Sequence, residues 1–133
     1  MSPESLASAG LLLVILPTVI FGGVSILTLL IRDPRYRQNP LRQQLWRAGH
    51  AHAGVLLMLS LVTLLYVDQA DLSAAWKQLV RSAIPASAIL LPAAYFLSVL
   101  SPTATQPNAL IYLAYVGAVV LATGLVVLGV GLL

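Results

Sequence analysis

Residues 6–31 form an apolar stretch without a single charged side chain, and this stretch constrains the fold of the chain more than any other feature. As a helix, a stretch of this length is long enough to cross the hydrocarbon core of a bilayer, which is roughly 30 Å thick. It is too long for the apolar core of a signal peptide, and no basic residue precedes it. We therefore expect it to remain in the protein as a transmembrane helix.

Three further apolar stretches follow, and we expect them to span the membrane over residues 48–67, 83–100 and 109–133. The composition agrees with this prediction, because only 8% of the residues are charged. A soluble domain carries about 25% charged residues. The sequence thus predicts an all-α integral membrane protein, with residues 1–133 forming a single antiparallel bundle of four transmembrane helices.

Residues 71–82 have a different pattern, with apolar side chains at helical spacing on one face and polar side chains on the other. This pattern predicts an amphipathic helix that lies in the membrane interface, either as a separate helix or running directly into the third span. Asp71 is the expected N-cap of this helix, and Trp76 is its expected interface anchor.

Positive charge is concentrated in the segment 32–47. This segment contains five of the seven basic residues: Arg32, Arg35, Arg37, Arg42 and Arg47. Because basic loops stay in the cytoplasm, we expect a multi-pass protein of a bacterial-type cytoplasmic membrane with loop 32–47 inside and both termini outside. The same charges also suit anionic lipid head groups. Their confinement to one loop between spans disfavours nucleic acid as a partner.

The predicted spans contain no carboxylate, since Glu4 and the three aspartates lie at helix ends or in connections. A proton-coupled exporter needs an intramembrane acid, so this class is disfavoured. No nucleophile–base pair or carboxylate pair is present, and the chain has no cysteine. We therefore expect a non-enzymatic membrane protein, namely an accessory or docking subunit of a larger membrane complex.

Both histidines, His50 and His52, lie near the cytoplasmic start of the second predicted span. Imidazole is a common metal ligand and an axial ligand of haem iron. Two residues on a helix are separated by about 200°, so the two rings point to nearly opposite faces. One histidine can then bind haem b or a metal, alone or with its counterpart in a homodimer, while Arg47 pairs with a haem propionate or a lipid phosphate. The alternatives are a packing role, with a hydrogen bond to a backbone carbonyl, and contact with a quinone.

The His50-Ala51-His52 motif at the start of a span, in a four-helix chain of this length, resembles small bacterial membrane proteins related to the catalytic subunit of haem–copper oxidases and nitric oxide reductases. The resemblance covers the motif and the topology, and it implies haem binding by a motif histidine. In those proteins the motif continues with Asn and a Gly-Trp pair, whereas Ala53 and Gly54 follow here. The resemblance therefore implies no oxidase chemistry.

Small residues recur in the second and last predicted spans, where they allow neighbouring helix backbones to approach closely. The expected packing positions are Gly49, Ala53, Gly54, Gly117 and Gly124. They serve contacts within the monomer or a dimer interface. A third functional hypothesis is a small channel or carrier that uses the first and third spans, which prolines are expected to kink.

Overall fold

The computed structural model covers residues 1–133, and every regular element in it is helical. The helices are α1 (Pro3–Arg32), α2 (Pro34–Arg37), α3 (Pro40–Val67), α4 (Ala74–Ser98) and α5 (Leu113–Leu132), and a 3₁₀ turn (Ala109–Tyr112) leads into α5. The four long helical segments, with the 3₁₀ turn counted as the start of the last, are long and apolar enough to cross a membrane.

Polar side chains cap the starts of these helices and satisfy amide groups that have no partner within the helix. The Ser2 hydroxyl accepts from the Ser5 amide at the start of α1, and the Asn39 side chain accepts from the Arg42 amide at the start of α3. Asn108 caps the 3₁₀ turn in the same way.

The amphipathic stretch 71–82 is not a separate helix but runs directly into the third span, which is the second of the two expected arrangements. Ser73, rather than Asp71, is the N-cap, and α4 continues from Ala74 through Ser82 into the apolar part of the chain without a break. No glycine or proline lies between Ala74 and Ile84, so nothing in the sequence ends the helix there. Asp71 instead precedes the helix, where its backbone N–H donates to the Gly131 carbonyl at 2.6 Å.

The basic segment 32–47 is likewise mostly helical rather than a loop. Arg32 ends α1, α2 contains Arg35 and Arg37, and Arg42 and Arg47 lie on α3. Prolines occupy the first positions of α2 and α3, which suits them because that position needs no backbone N–H donor. The connection between the first two long helices is therefore a pair of tight turns around a short helix.

Helices α3 and α4 pack against each other at the centre, with α1 on α3 and α5 on α4. The core between them is aliphatic and includes Leu56, Leu64, Val80 and Ile84. Large apolar side chains cover the outward faces of α1 and α5. Such continuous apolar exposure is typical of surfaces that face lipid or another protein rather than water.

Contacts between connections define two ends of the molecule. At the first end, which we call the basic end, the Asn39 side chain donates to the Pro102 and Ala104 carbonyls at 3.1 and 3.0 Å. The opposite end, which we call the terminal end, brings together both chain termini and residues 68–73, since Ser2 bonds Asp68 and Asp71 bonds Gly131. The five arginines of segment 32–47 lie at or near the basic end, at the end of α1, in α2 and in the first turns of α3.

Candidate functional site

Helix α3 runs unbroken through both histidines, so the spacing of two residues places their rings against different neighbours, as expected. His50 faces α1, where it lies against Gly22 and Gly23. His52 faces α4, where its ring packs against that of Tyr95 at an interplanar angle of 40°, with 5.1 Å between ring centroids. The two imidazoles therefore cannot share one ligand within a single chain.

The His50 ring is held tightly against the backbone of α1. A Cβ atom on Gly23 would lie 3.0 Å from Nε2 of His50, and one on Gly22 would lie 3.7 Å from Nδ1. A larger residue at position 23 would require the imidazole to shift. Nε2 thus lies against the backbone of α1, and His50 occupies a packing position between α3 and α1.

The His52 ring has a defined hydrogen-bonding arrangement. Its Nδ1 lies 2.8 Å from the Ala48 carbonyl oxygen of the preceding helical turn. A carbonyl only accepts, so Nδ1 carries a proton and donates, and in the neutral imidazole Nε2 then keeps its lone pair. Metal-ligating histidines are usually held by such a hydrogen bond from the other ring nitrogen to a carbonyl.

His52 lies in a groove of about 510 Å³ between α3, α4 and α5, which we call the His52 groove. The other residues that line it are Leu91, Tyr95, Ala114, Tyr115, Ala118, Leu121, Ala122 and Leu125. The three alanines recur every four residues and form one smooth wall of α5. The groove contains no charged side chain, and its volume lies in the range of small-molecule and cofactor sites.

Arg47 does not join His52. It is exposed, and it lines a separate cleft of about 320 Å³ between α1, α2 and α3. Arg47 thus lies on the side of α3 that carries His50, so it is not placed to neutralise a ligand bound at His52. The structure therefore divides the set His50, His52 and Arg47 between two faces of one helix.

The structure contains no cluster of three or more histidine, aspartate or glutamate side chains that is able to hold a metal ion. A metal held wholly by protein side chains has no set of ligands here, because stable zinc sites use at least three. A single histidine such as His52 is enough for a haem-type site, in which the macrocycle supplies the other ligands of the metal and the protein supplies one axial nitrogen.

The packing positions lie mostly at contacts within the chain. A Cβ atom on Gly49 would approach Phe96 to 3.1 Å, one on Gly117 would approach Leu91 to 2.9 Å, and one on Gly124 would approach Ile84 to 2.9 Å. Gly54 lies next to Val19, and Ala53 lines a shallow apolar cleft between α1, α3 and α4. Trp76 is half-exposed on the first turn of α4.

An aromatic cluster at the basic end was not anticipated from the sequence. Tyr36 of α2 is 1% exposed and lies 5.9 Å from Trp46 between ring centroids. The Arg42 guanidinium lies 4.1 Å above the Trp46 ring, and Trp46 Nε1 donates to the Phe96 carbonyl. The Arg42–Trp46 spacing of four residues is a signal of this contact on one helix face. No comparable signal identifies Tyr36.

A second polar cluster, also missed by the sequence analysis, lies at the terminal end around Asp68. Arg81 pairs with this carboxylate, and the Ser2 amide and the Ser5 hydroxyl donate to it. Burial alone raises the pKa of Asp68, but the hydrogen bonds from Ser2, Arg81 and Ser5 outweigh burial and hold it well below its usual range. The cluster joins the start of α1, the end of α3 and the first turns of α4.

Comparison of the chain with models of protein families, with curated proteins and with solved structures finds no match. The resemblance carried by the His50-Ala51-His52 motif therefore has the residues of this chain as its only support, and the geometry around the two histidines becomes the main evidence on function.

Proposed function

We propose that the four long helices form an antiparallel bundle in a bacterial-type cytoplasmic membrane, with the basic end inside and both termini outside. Four apolar helices of sufficient length and the collection of both termini at one end support this arrangement. The excess of arginine at the opposite end supports the orientation, since basic segments are retained in the cytoplasm.

We further propose that the protein is a non-enzymatic membrane protein that holds one planar hydrophobic molecule in the His52 groove, and that this molecule is haem b. The observation that carries the proposal is the hydrogen bond from His52 Nδ1 to the Ala48 carbonyl, which fixes the ring and leaves Nε2 free beside an uncharged groove. Of the two motif histidines, only His52 has this combination.

Each part of the groove has a separate role in this proposal. His52 would supply one nitrogen ligand, and the hydrogen bond to the Ala48 carbonyl orients the ring and fixes the proton of the neutral imidazole on Nδ1. The alanine wall of α5 lets a flat molecule approach the helix closely, and Tyr95 restrains the imidazole by a tilted ring contact. Bound haem would supply one-electron chemistry, whose potential depends on the axial ligand and on the apolar surroundings. With a single histidine ligand, the protein suits handling or storage of haem within a larger membrane complex, as an accessory subunit.

An absorbance titration of the detergent-purified protein with haem tests the proposal. We expect a sharp Soret band at a stoichiometry of one haem per chain, and a distinct α-band after reduction. The His50→Ala variant should retain both bands, whereas the His52→Ala variant should give only the spectrum of free haem in detergent. Equal spectra for the two variants, or no Soret shift in the unmodified protein, would contradict haem binding at His52.

A further inference from the structure

The cleft between α1, α2 and α3 at the basic end, which we call the Tyr36 cleft, is separate from the His52 groove and has the character of an amphiphile site. Its lining residues are Gly23, Ile26, Leu27, Leu30, Tyr36, Gln43 and Arg47. The wall from α1 is wholly apolar, while α2 and α3 contribute a phenol, an amide and a guanidinium. A ligand that matches both walls has an apolar chain and a polar head.

The Tyr36 hydroxyl is the most informative group in this cleft. Tyr36 is only 1% exposed, and its hydroxyl oxygen is buried and has no hydrogen-bond partner within the protein. A buried hydroxyl without a partner is costly, and such groups are rare in folded proteins. An acceptor oxygen on a bound ligand would satisfy it once the side chains that cover the hydroxyl move aside. Burial raises the pKa of Tyr36, against the opposing charges of Arg42 and Arg47, so the phenol is a protonated donor at neutral pH.

The charge around the cleft favours an anion. Arg47 lines it, and the Arg42 guanidinium lies 6.0 Å from the centre of the Tyr36 ring. Arg37 does not line the cleft, but it donates to the carbonyl of Leu30, which does, and to that of Ile31. Asp33, the only acidic residue of this end, is paired with Arg35. No carboxylate therefore lines the cleft to repel a negative head group.

We propose that the Tyr36 cleft binds the phosphate group of one anionic phospholipid. The Tyr36 hydroxyl and the Arg47 guanidinium contact the phosphate oxygens, and an acyl chain lies along Ile26, Leu27 and Leu30. Guanidinium groups suit phosphate because they donate several hydrogen bonds in a fixed plane. The proposal is independent of the ligand at His52, since the two sites lie on different faces of α3.

Native mass spectrometry of the full-length protein in detergent, titrated with phosphatidylglycerol or phosphatidylcholine, tests this site. We expect one phosphatidylglycerol to bind at least about tenfold more tightly than phosphatidylcholine, because only the first carries a net charge. Arg47→Gln should weaken phosphatidylglycerol binding about tenfold, and Tyr36→Phe about fivefold.

Arg35→Gln is the matched control. It removes the same charge from the same segment, but the Arg35 side chain is 76% exposed and lies outside the Tyr36 cleft. We expect its affinity to stay within about twofold of the unmodified protein. An equal loss in Arg35→Gln and Arg47→Gln would mean diffuse attraction to the basic end and would overturn the proposal.

Two further measurements test whether the Tyr36 cleft binds a phospholipid. Glycerol phosphate without acyl chains should not displace the lipid at comparable concentration; displacement would assign the cleft to a free phosphate ester instead. Tyr36→Phe should leave the melting temperature of the lipid-free protein unchanged or higher, since it removes a hydroxyl without a partner. A lower melting temperature would show that the hydroxyl has a structural role, and the assignment to lipid would fail.

Discussion

Asp68 is the residue on which the hydrogen bonds of the terminal end converge. The Arg81 side chain that pairs with it is only 9% exposed, and Asp68 itself is 19% exposed. A guanidinium in such a place is costly to leave without its counter-charge, and breaking a buried pair from one side usually costs several kcal/mol. The pair therefore stabilises the junction of α1, α3 and α4 largely because each charge needs the other.

We predict that Asp68→Asn lowers the free energy of unfolding by roughly 3 kcal/mol, the lower limit for a broken buried pair, because Asp68 retains some exposure. The carboxyl has a lower pKa in the folded protein than its ordinary value of 3.8, so the folded state binds fewer protons. The stabilisation is therefore complete above that value and is lost as the pH falls below it. Melting temperatures in detergent between pH 7 and pH 3 measure both effects.

Asp71→Asn is the control for this prediction. The substitution removes the same charge three residues away, at a position that is exposed. It should melt close to the unmodified protein and keep the loss of stability in acid. If Asp71→Asn and Asp68→Asn lower the melting temperature equally, the Asp68–Arg81 pair has no special role.

For single residues, the sequence predicts well on which face of a helix a side chain lies, but poorly which residues of other helices it contacts. The spacing of His50 and His52 is enough to place their rings on different faces, because helix geometry alone determines the angle. It does not indicate that Gly23 covers one ring while an alanine wall faces the other. Likewise, the pairing of Asp68 with Arg81 and the burial of Tyr36 depend on contacts between separate helices, which have no local signal.

Helix α5 packs closely on α4 at positions where α5 has glycine. A Cβ atom on Gly117 would lie 2.9 Å from Leu91 Cγ and 3.2 Å from the Leu91 backbone nitrogen. The side chain has some freedom to move aside, but the backbone of α4 does not. The same helix also contains Gly129, where an added Cβ atom would meet nothing within 4 Å.

We predict that Gly117→Ala destabilises the protein by about 1–2 kcal/mol, since the strain of overpacking exceeds the gain in helix propensity. Gly129→Ala, on the same helix, should be neutral or slightly stabilising, because only the propensity gain applies. Thermal unfolding of both variants in detergent makes the comparison. A Gly117→Ala variant as stable as Gly129→Ala would show that α5 does not pack closely on α4.

The errors in predicted elements have one physical cause. Periodicity reports which face of a helix is apolar, but it does not report where the helix ends. The pattern over residues 71–82 is the partly covered first section of α4, and no breaker separates it from the rest. In segment 32–47, charge suggested a loop, whereas Pro34 begins a short helix. The start of α3 at Pro40 is what the Asn39-Pro40 pair, a cap followed by proline at the first helical position, indicates.

For the whole molecule, the long apolar stretches alone were sufficient to predict four membrane-length helices, because their length and lack of charge leave few other folds. The number of membrane-length helices does not determine which end of the molecule lies in the cytoplasm. The basic end and the terminal end differ sharply in arginine content, and their exposed residues offer sites for labelling.

We predict that Asp71→Cys reacts with a membrane-impermeant maleimide in intact cells, whereas Thr105→Cys reacts only after the membrane is permeabilised. Both positions are exposed and lie at opposite ends. The natural sequence has no cysteine, so each variant carries a single reactive thiol. The reverse pattern would contradict the proposed orientation, and labelling of both positions in intact cells would contradict an odd number of spans between them.

The central claim of this account is that His52, and not His50, presents a free imidazole nitrogen to a ligand in the His52 groove. The most direct measurement is the Soret spectrum of haem-loaded His52→Gly and His50→Gly variants, each with and without added imidazole. We predict that His52→Gly loses the Soret shift and regains it with imidazole, while His50→Gly keeps the shift without it. Loss and rescue at His50 instead, or no Soret shift in the unmodified protein, would contradict the claim.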